Sequence, residues 1–269
     1  MSGTAAWWTD PHFELLSQAE RRQVLRAWSE SPADCAIVTG DISHGSTTLG
    51  WLRRLAEAFA RPIYFVLGNH DFYGTSIARQ QAAVRQLCGE LGDLVYLTSS
   101  GVVPLSPATA LVGHDGWGDM REGDWQCTSI RPPDFDEIEE LREVAHDRSA
   151  LLARLRQLGD DAAEHLRRVL PQALAGYEQV IVATHVPPFR EASWYEGENS
   201  GEVWLPFFCC RAVGDVLRAE AERYPERQLS VLCGHCHGAG EAQICENLRV
   251  LTGGAEPCSP QVQRLIEFA

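Results

Sequence analysis

Five short apolar runs in this chain end in the same kind of chemistry, and that recurrence limits the folds open to it. Ala5–Trp8 leads into Asp10 and His12, Cys35–Thr39 into Asp41, and Ile63–Leu67 into Asn69, His70 and Asp71. Val180–Ala183 leads into His185, and Leu229–Cys233 into His235 and His237. Runs of this length, rich in β-branched and aromatic residues, read as buried strands. Further strands are expected at Leu94–Leu97, Ala110–Val112, Leu248–Thr252 and Val262–Phe268. Polar residues that recur at one end of strand after strand gather at one edge when those strands run side by side.

Helical periodicity separates many of these runs. Leu52, Leu55 and Phe59 share one helical face, and Ile77, Val84, Cys88 and Leu91 another. Strands alternating with helices argue for a layered α/β fold. A long helical stretch runs from Asp134 to about residue 175, with stripes at Leu151, Leu152, Leu155 and Leu158 and at Leu166, Val169 and Leu170. Its acidic start (Asp134, Asp136, Glu137, Glu139, Glu140) reads as a solvated face. The expectation is one domain over residues 1–269, with a helical insertion at about 120–176.

Asp10 and His12, like His235 and His237, stand two residues apart, a spacing that puts both side chains on one side of an extended chain. Pro11 has no N–H, which suits a chain leaving its sheet. Gly40, Gly68 and Gly234 each precede a polar residue and let the backbone turn sharply. Carboxylate, amide and imidazole donors without thiolate suit manganese, iron, zinc, cobalt or nickel. Seven such groups exceed one ion's needs and match two ions sharing a carboxylate.

In these blocks the chain resembles the calcineurin-like metallophosphoesterase superfamily. The blocks D-x-H, G-D, G-N-H-D, a lone His and G-H-x-H occur in that order from Asp10 to His237. The resemblance implies a four-layer αββα sandwich, two mixed β-sheets packed face to face with helices outside. It also implies that Asp10, His12 and His237 hold one metal ion, that Asn69, His185 and His235 hold the other, and that Asp41 bridges them. His70 would face the substrate, with Asp71 orienting it. "GHDGWGD", "THVPPF" and "NLRVLTGGAEP" look like a bacterial branch of small phosphohydrolases. Cys236 stands where the family more often has Thr or Ser.

The implied activity is hydrolysis of phosphate monoesters or diesters. Two divalent transition-metal ions, of which manganese, iron and zinc fit best, clamp the attacking and leaving oxygens, and a water bridging them serves as nucleophile. His70 would stabilise the phosphoryl oxygens or protonate the leaving alkoxide. A non-catalytic metal-binding scaffold of the same fold is the alternative, and retention of His70 and Asp71 counts against it. "CGHC" at Cys233–Cys236 also matches a disulfide oxidoreductase, but too little chain follows it for a thioredoxin fold.

For substrate contacts the sequence offers His114, Trp117, Arg121, Arg190 and Trp194, with Arg131 also in reach of the insertion. His44 and His114 are placed on one rim, while His146 and His165 read as surface residues. Phe207 and Phe208 read as core. Lys and Arg number 23 against 37 Asp and Glu, a net charge of −14 that disfavours duplex nucleic acid and points to a small phosphorylated substrate. No apolar run is long enough for a membrane span, and Asp10 and Glu14 interrupt any leader-like start, so a cytoplasmic location is expected. Nine scattered cysteines fit reduced thiols better than a disulfide framework.

Overall fold

The computed structural model describes residues 2–256 and 258–269. Its strands are β1 Gly3–Trp8, β2 Cys35–Thr39, β3 Ile63–Val66, β4 Leu94–Tyr96, β5 Val103–Pro104, β6 Thr109–His114, β7 Gln179–Thr184, β8 Trp194–Tyr195, β9 Glu198–Asn199, β10 Gln228–Cys233, β11 Gly240–Cys245, β12 Leu248–Thr252 and β13 Arg264–Phe268. Its helices are α1 Gln18–Ser29, α2 Gly45–Phe59, α3 Ile77–Glu90, α4 Asp134–Glu137, α5 Glu139–Arg142, α6 Arg148–Gly176, α7 Leu205–Phe208 and α8 Arg211–Arg223.

Two mixed sheets form, in the orders β13-β1-β2-β3-β4 and β11-β12-β10-β7-β6-β5. β1 to β4 are mutually parallel, as are β6, β7, β10 and β12, and antiparallel strands close the edges at β13, β11 and β5. Ala5, Trp7, Ile37 and Val66 of the first sheet pack on Leu111, Ile181, Ala183, Leu232 and Leu251 of the second. Alternate residues of the same strands, among them Trp8, Val38 and Phe65, face a layer that includes Leu52, Leu55, Phe59 and Val84 of α2 and α3. The αββα sandwich is thus the two-period strand pattern made physical, with each sheet buried on both faces.

Helix ends follow their local chemistry. Ser17 and Glu20 close a reciprocal capping box on α1, and Asp147 accepts from the N–H groups of Ser149 and Ala150 to start α6. Residues 121–133 form no helix or strand, α4 and α5 are single turns, and α6 is 29 residues long. Leu151 and Leu155 of α6 bury against the first core, whereas Leu166, Val169, Leu170 and Leu174 cover the second sheet beside α8. Two leucine-rich stripes in sequence serve two cores because one helix of 29 residues is long enough to reach both. Among the described residues no helix is long and apolar enough to cross a membrane.

Register sets the site. Trp8 pairs with Val38 and Thr39 with Val66, while Leu232 pairs with Ala183. Strands ending level deliver the residues that follow them to one edge, where open α/β sheets bind ligands.

Candidate active site

The chain leaves its strands under strain. Asp10, His12, Asp41, His235 and His237 all have left-handed backbone, with φ of 45°, 41°, 49°, 69° and 61°. Each such residue costs on the order of 1–3 kcal/mol and persists only where its surroundings hold it. Backbone bonds supply part of that hold, with Asp10 N–H donating to Gly40 O and His12 N–H to Asp41 O, both at 3.1 Å. Only Gly40 of the three flanking glycines has the expected positive φ. Gly68 and Gly234 serve for room instead. A Cβ at Gly68 would lie 2.2 Å from Asp41 Oδ1, and one at Gly234 would lie 2.0 Å from Asp10 Oδ2.

Two sets of donors converge. Ligand atoms of Asp10, His12, Asp41 and His237 lie within 4.8 Å of one another, and so do those of Asp41, His185 and His235. Asp41 belongs to both. Asn69 joins the second set, its Oδ1 lying 3.1 Å from both His185 Nε2 and His235 Nδ1.

The far side of each imidazole decides which nitrogen faces inward. His185 Nδ1–H donates to Thr39 O at 2.8 Å and His235 Nε2–H to Phe207 O at 3.2 Å. His12 Nδ1–H donates to Glu14 at 3.3 Å. These partners fix tautomer and ring plane, as outer groups commonly do for metal-binding histidines. His185 Nε2 and His235 Nδ1 then face each other at 3.1 Å, with Asn69 Oδ1 as a third acceptor. Three acceptors pointed at one spot need a positive charge between them, a proton or a metal ion.

Electrostatics agree. Burial works against a charge on His185, yet Asp41 and Asp10 outweigh it and hold the pKa at about 10. Burial likewise opposes a charge on His12, but Glu14, Asp41 and Asp10 raise it to about 9. His235 is pushed down to about 3 by burial and by the neighbouring His185, which together outweigh the opposing pull of Asp41. Asp41, although buried, is held well below the usual carboxylate range by His185, His70 and His12.

A family model for calcineurin-like phosphoesterases matches residues 8–238 of this sequence. The chain belongs to the calcineurin-like phosphoesterase family. It is a metallophosphoesterase, with a possible two-metal site built from the Asp and His residues above. No curated protein matches the sequence. Among solved structures, phosphopantetheinyl hydrolase (PptH) from Mycobacterium tuberculosis superposes with a TM-score of 0.63 at 16% identity, covering 94% of this chain and 90% of that one. A dimetal phosphatase from Danio rerio gives 0.57 at 16% identity, with 94% and 87% covered. TT1561 of Thermus thermophilus gives 0.57 at 13% identity, with 100% and 99% covered. At these identities the likeness is one of fold.

Within this metallophosphoesterase no hydrogen bond joins Asp71 to His70 among the described residues. Asp71 is fully buried, and its oxygens accept from the N–H groups of Ile42, Ser43 and Gly68 and from the Thr48 hydroxyl. Asp71 therefore ties the turn after β2 to the turn after β3. Burial and the nearby Asp41 raise its pKa to about 7 against those donors. His70 is oriented by rings, stacked on Tyr73 at 4.4 Å and edge-on to His12 at 4.7 Å.

Asp134 is a further correction, because it is half-buried and its carboxylate is held by hydrogen bonds. Its Oδ1 accepts from Asn69 Nδ2 at 2.9 Å and from the Tyr73 hydroxyl at 2.5 Å. Local sequence carries no sign of this, since an acidic helix start reads the same whether it meets water or a partner distant in the chain.

The residues expected at the substrate do not line the cavity in front of His12 and His237. A cavity of about 340 Å3 in front of the donors is lined by His70, Tyr73, His44, Leu15 and Glu256, among others, and by none of His114, Trp117, Arg121, Arg190 or Trp194. Arg121 is paired with Asp119 and Asp160, Arg131 with Asp136, and Arg190 with Glu202 and Glu122. His114 faces a different cavity with His165, which is buried rather than on the surface. Trp117 walls the inner side of Asn69, His185 and His235. Trp194 braces the His237 loop, its carbonyl accepting from Gly238 N–H and its indole lying against Gly240. Cys233 and Cys236 are buried free thiols with raised pKa, which removes the redox reading.

Proposed function

We propose that this metallophosphoesterase hydrolyses phosphate esters with two divalent transition-metal ions, manganese, iron or zinc. The observation that carries this reading is the sharing of Asp41 between two donor sets. Asp10, His12, Asp41 and His237 would hold one ion, and Asp41, Asn69, His185 and His235 the other. The fit rests on the three acceptors facing one another at 3.1 Å, an arrangement that a cation satisfies. Bound ions supply charge neutralisation at phosphorus and acidify water at neutral pH.

The chain's own groups do the rest. His70 lines the cavity beside His12 and His237, placed to hold a phosphoryl oxygen or deliver a proton to the departing oxygen. Tyr73 stacks on the His70 ring and limits its rotation. Asp71 locks the backbone on which Asn69 and His70 stand. Monoesters and diesters both suit such a centre.

The test is a hydrolysis screen of manganese-loaded protein across monoesters, diesters, cyclic nucleotides and pyrophosphates, with metal content measured alongside. About two ions per chain and turnover of at least one ester class are expected. Two bound ions without turnover of any ester would leave the scaffold reading, and no bound ion would overturn the metal centre itself.

A further inference from the structure

The cavity in front of the metal ligands divides by chemistry. Its inner wall is Asp10, His12, His70 and His237, the groups that would meet the phosphoryl group. The rest of its lining is Leu15, His44, Tyr73 and Ala255, with Glu14, which accepts from His12, and the exposed Glu256. Among the described residues no arginine lines it, and the chain has no lysine. Arg21, close by in sequence, is turned to the carbonyls of Leu16 and Glu14 and to the face of Trp51. Leu15, in a 3₁₀ turn at Phe13–Leu15, is 54% exposed, the most of any large hydrophobic side chain among the described residues. An exposed leucine lining a functional cavity is the kind of apolar surface that a ligand covers.

We infer that this cavity accepts a leaving group that is apolar and either neutral or cationic, and that it turns away esters carrying a further phosphate or carboxylate. The inference rests on the reading of the chain as a phosphate ester hydrolase. A second anionic group on the substrate would lie near Glu256, His44 and apolar side chains, without a guanidinium to pair with, while Glu14 is engaged by His12. Discrimination then comes from repulsion as well as from attraction. The net charge of −14 acts in the same direction at longer range. Bound ions would direct their positive charge to the phosphoryl group, which leaves discrimination among leaving groups to the rest of the cavity wall.

A matched series tests it. 4-Methylphenyl, 4-(carboxymethyl)phenyl and 4-(aminomethyl)phenyl phosphate differ in charge beyond an insulating methylene, so their leaving phenols are similar in reactivity. With manganese-loaded protein, kcat/KM should be at least about tenfold higher for the aminomethyl than for the carboxymethyl ester, the scale of one like-charge contact near a surface. The methyl ester should fall between them, and the spread should shrink as salt rises. E256R, at an exposed rim position, should narrow or invert the order. The corresponding benzylphosphonates, which cannot be hydrolysed, should follow the same order in calorimetric Kd. 4-Methylbenzylphosphonate should also bind more tightly than methylphosphonate. Equal or tighter binding of the carboxymethyl phosphonate would overturn the inference even if no ester were hydrolysed. Absence of turnover with the binding order intact would instead strike at the hydrolase reading and leave the selectivity standing.

Discussion

Asp134, the first residue of α4, accepts a 2.9 Å hydrogen bond from the side-chain amide of Asn69, 65 positions earlier in the chain. Because Asp134 and the Tyr73 oxygen take the Nδ2 side, at 2.9 and 3.2 Å, the Oδ1 side is left facing His185 and His235. An amide without such partners is free to present nitrogen to a cation, which repels it. Asp134 thus sets which end of Asn69 meets the metal site.

Asp134→Ala should therefore weaken manganese binding at one of two sites by about 10- to 100-fold, the usual cost of losing a partner of a metal ligand. Asp134→Asn should fall between, since its amide oxygen still accepts. Calorimetric titration of metal-free protein with manganese reads both sites. Two unaltered affinities in the alanine variant would show that Asn69 holds its orientation unaided.

Asp41 and His235 make a contrasting pair. Asp41 belongs to both donor sets, whereas His235 belongs to one. Asp41→Asn should weaken both ions together, and His235→Ala should weaken one while the other stays near its original affinity. Loss of a single ion in Asp41→Asn would mean that the carboxylate does not bridge.

A stability prediction follows from the second sheet's helix layer. His165 on α6 is buried against the tilted ring of His114 at 5.3 Å, and burial together with that neighbour and Arg168 pushes its pKa down from 6.5 to about 4. An unfolded chain binds a proton at His165 below pH 6.5, while the folded chain resists until about pH 4. Stability therefore rises with pH across that window and is lost as pH falls through it, by on the order of 2–3 kcal/mol for a shift of this size. His165→Gln should flatten the dependence between pH 6.5 and 4 in urea unfolding of metal-free protein. An equally steep curve in the variant would assign the acid sensitivity to other groups.

Much of this molecule was legible in the sequence because its constraints are local. Residues such as Ile37 and Val38 alternate in facing the two cores, and Asp10, Asp41 and His185 follow directly on their strands, so short windows sufficed. What could not be read were relations across distance. Asp134 reaches Asn69 only through the path of residues 121–133, which carry no periodicity. His114 sits at a strand end as His185 does, yet its side chain faces α6 instead of the metal ligands, and no nearby residue signals the difference. β11, at the sheet edge, alternates weakly, with Ala242 its one buried residue, and was missed for that reason. The sequence around Arg121 and Arg190 does not show that Asp160, Glu202 and Glu122 occupy them.

The division of labour between Asn69 and His70 bears on the mechanism most directly. His70 makes ring contacts to Tyr73 and His12 and lines the cavity, while the Asn69 oxygen faces the second donor set. His70→Ala should leave manganese affinity unchanged yet lower turnover by about 10²–10⁴, the usual worth of a positioned acid. Asn69→Ala should do the reverse, weakening one ion and recovering part of its activity when manganese is in excess. The His70 loss should shrink for 4-nitrophenyl phosphate, whose leaving group departs without a proton, and persist for alkyl esters, whose leaving group does not. A loss of similar size on both would assign His70 to stabilising phosphoryl oxygens, because that charge develops whatever leaves. Unchanged turnover on both esters would take His70 out of the reaction altogether. Tyr73→Phe keeps the ring stacked on His70 and removes only the hydroxyl that bonds Asp134. It should therefore affect metal affinity more than proton delivery, and a drop confined to alkyl esters would show that the hydroxyl serves His70 instead.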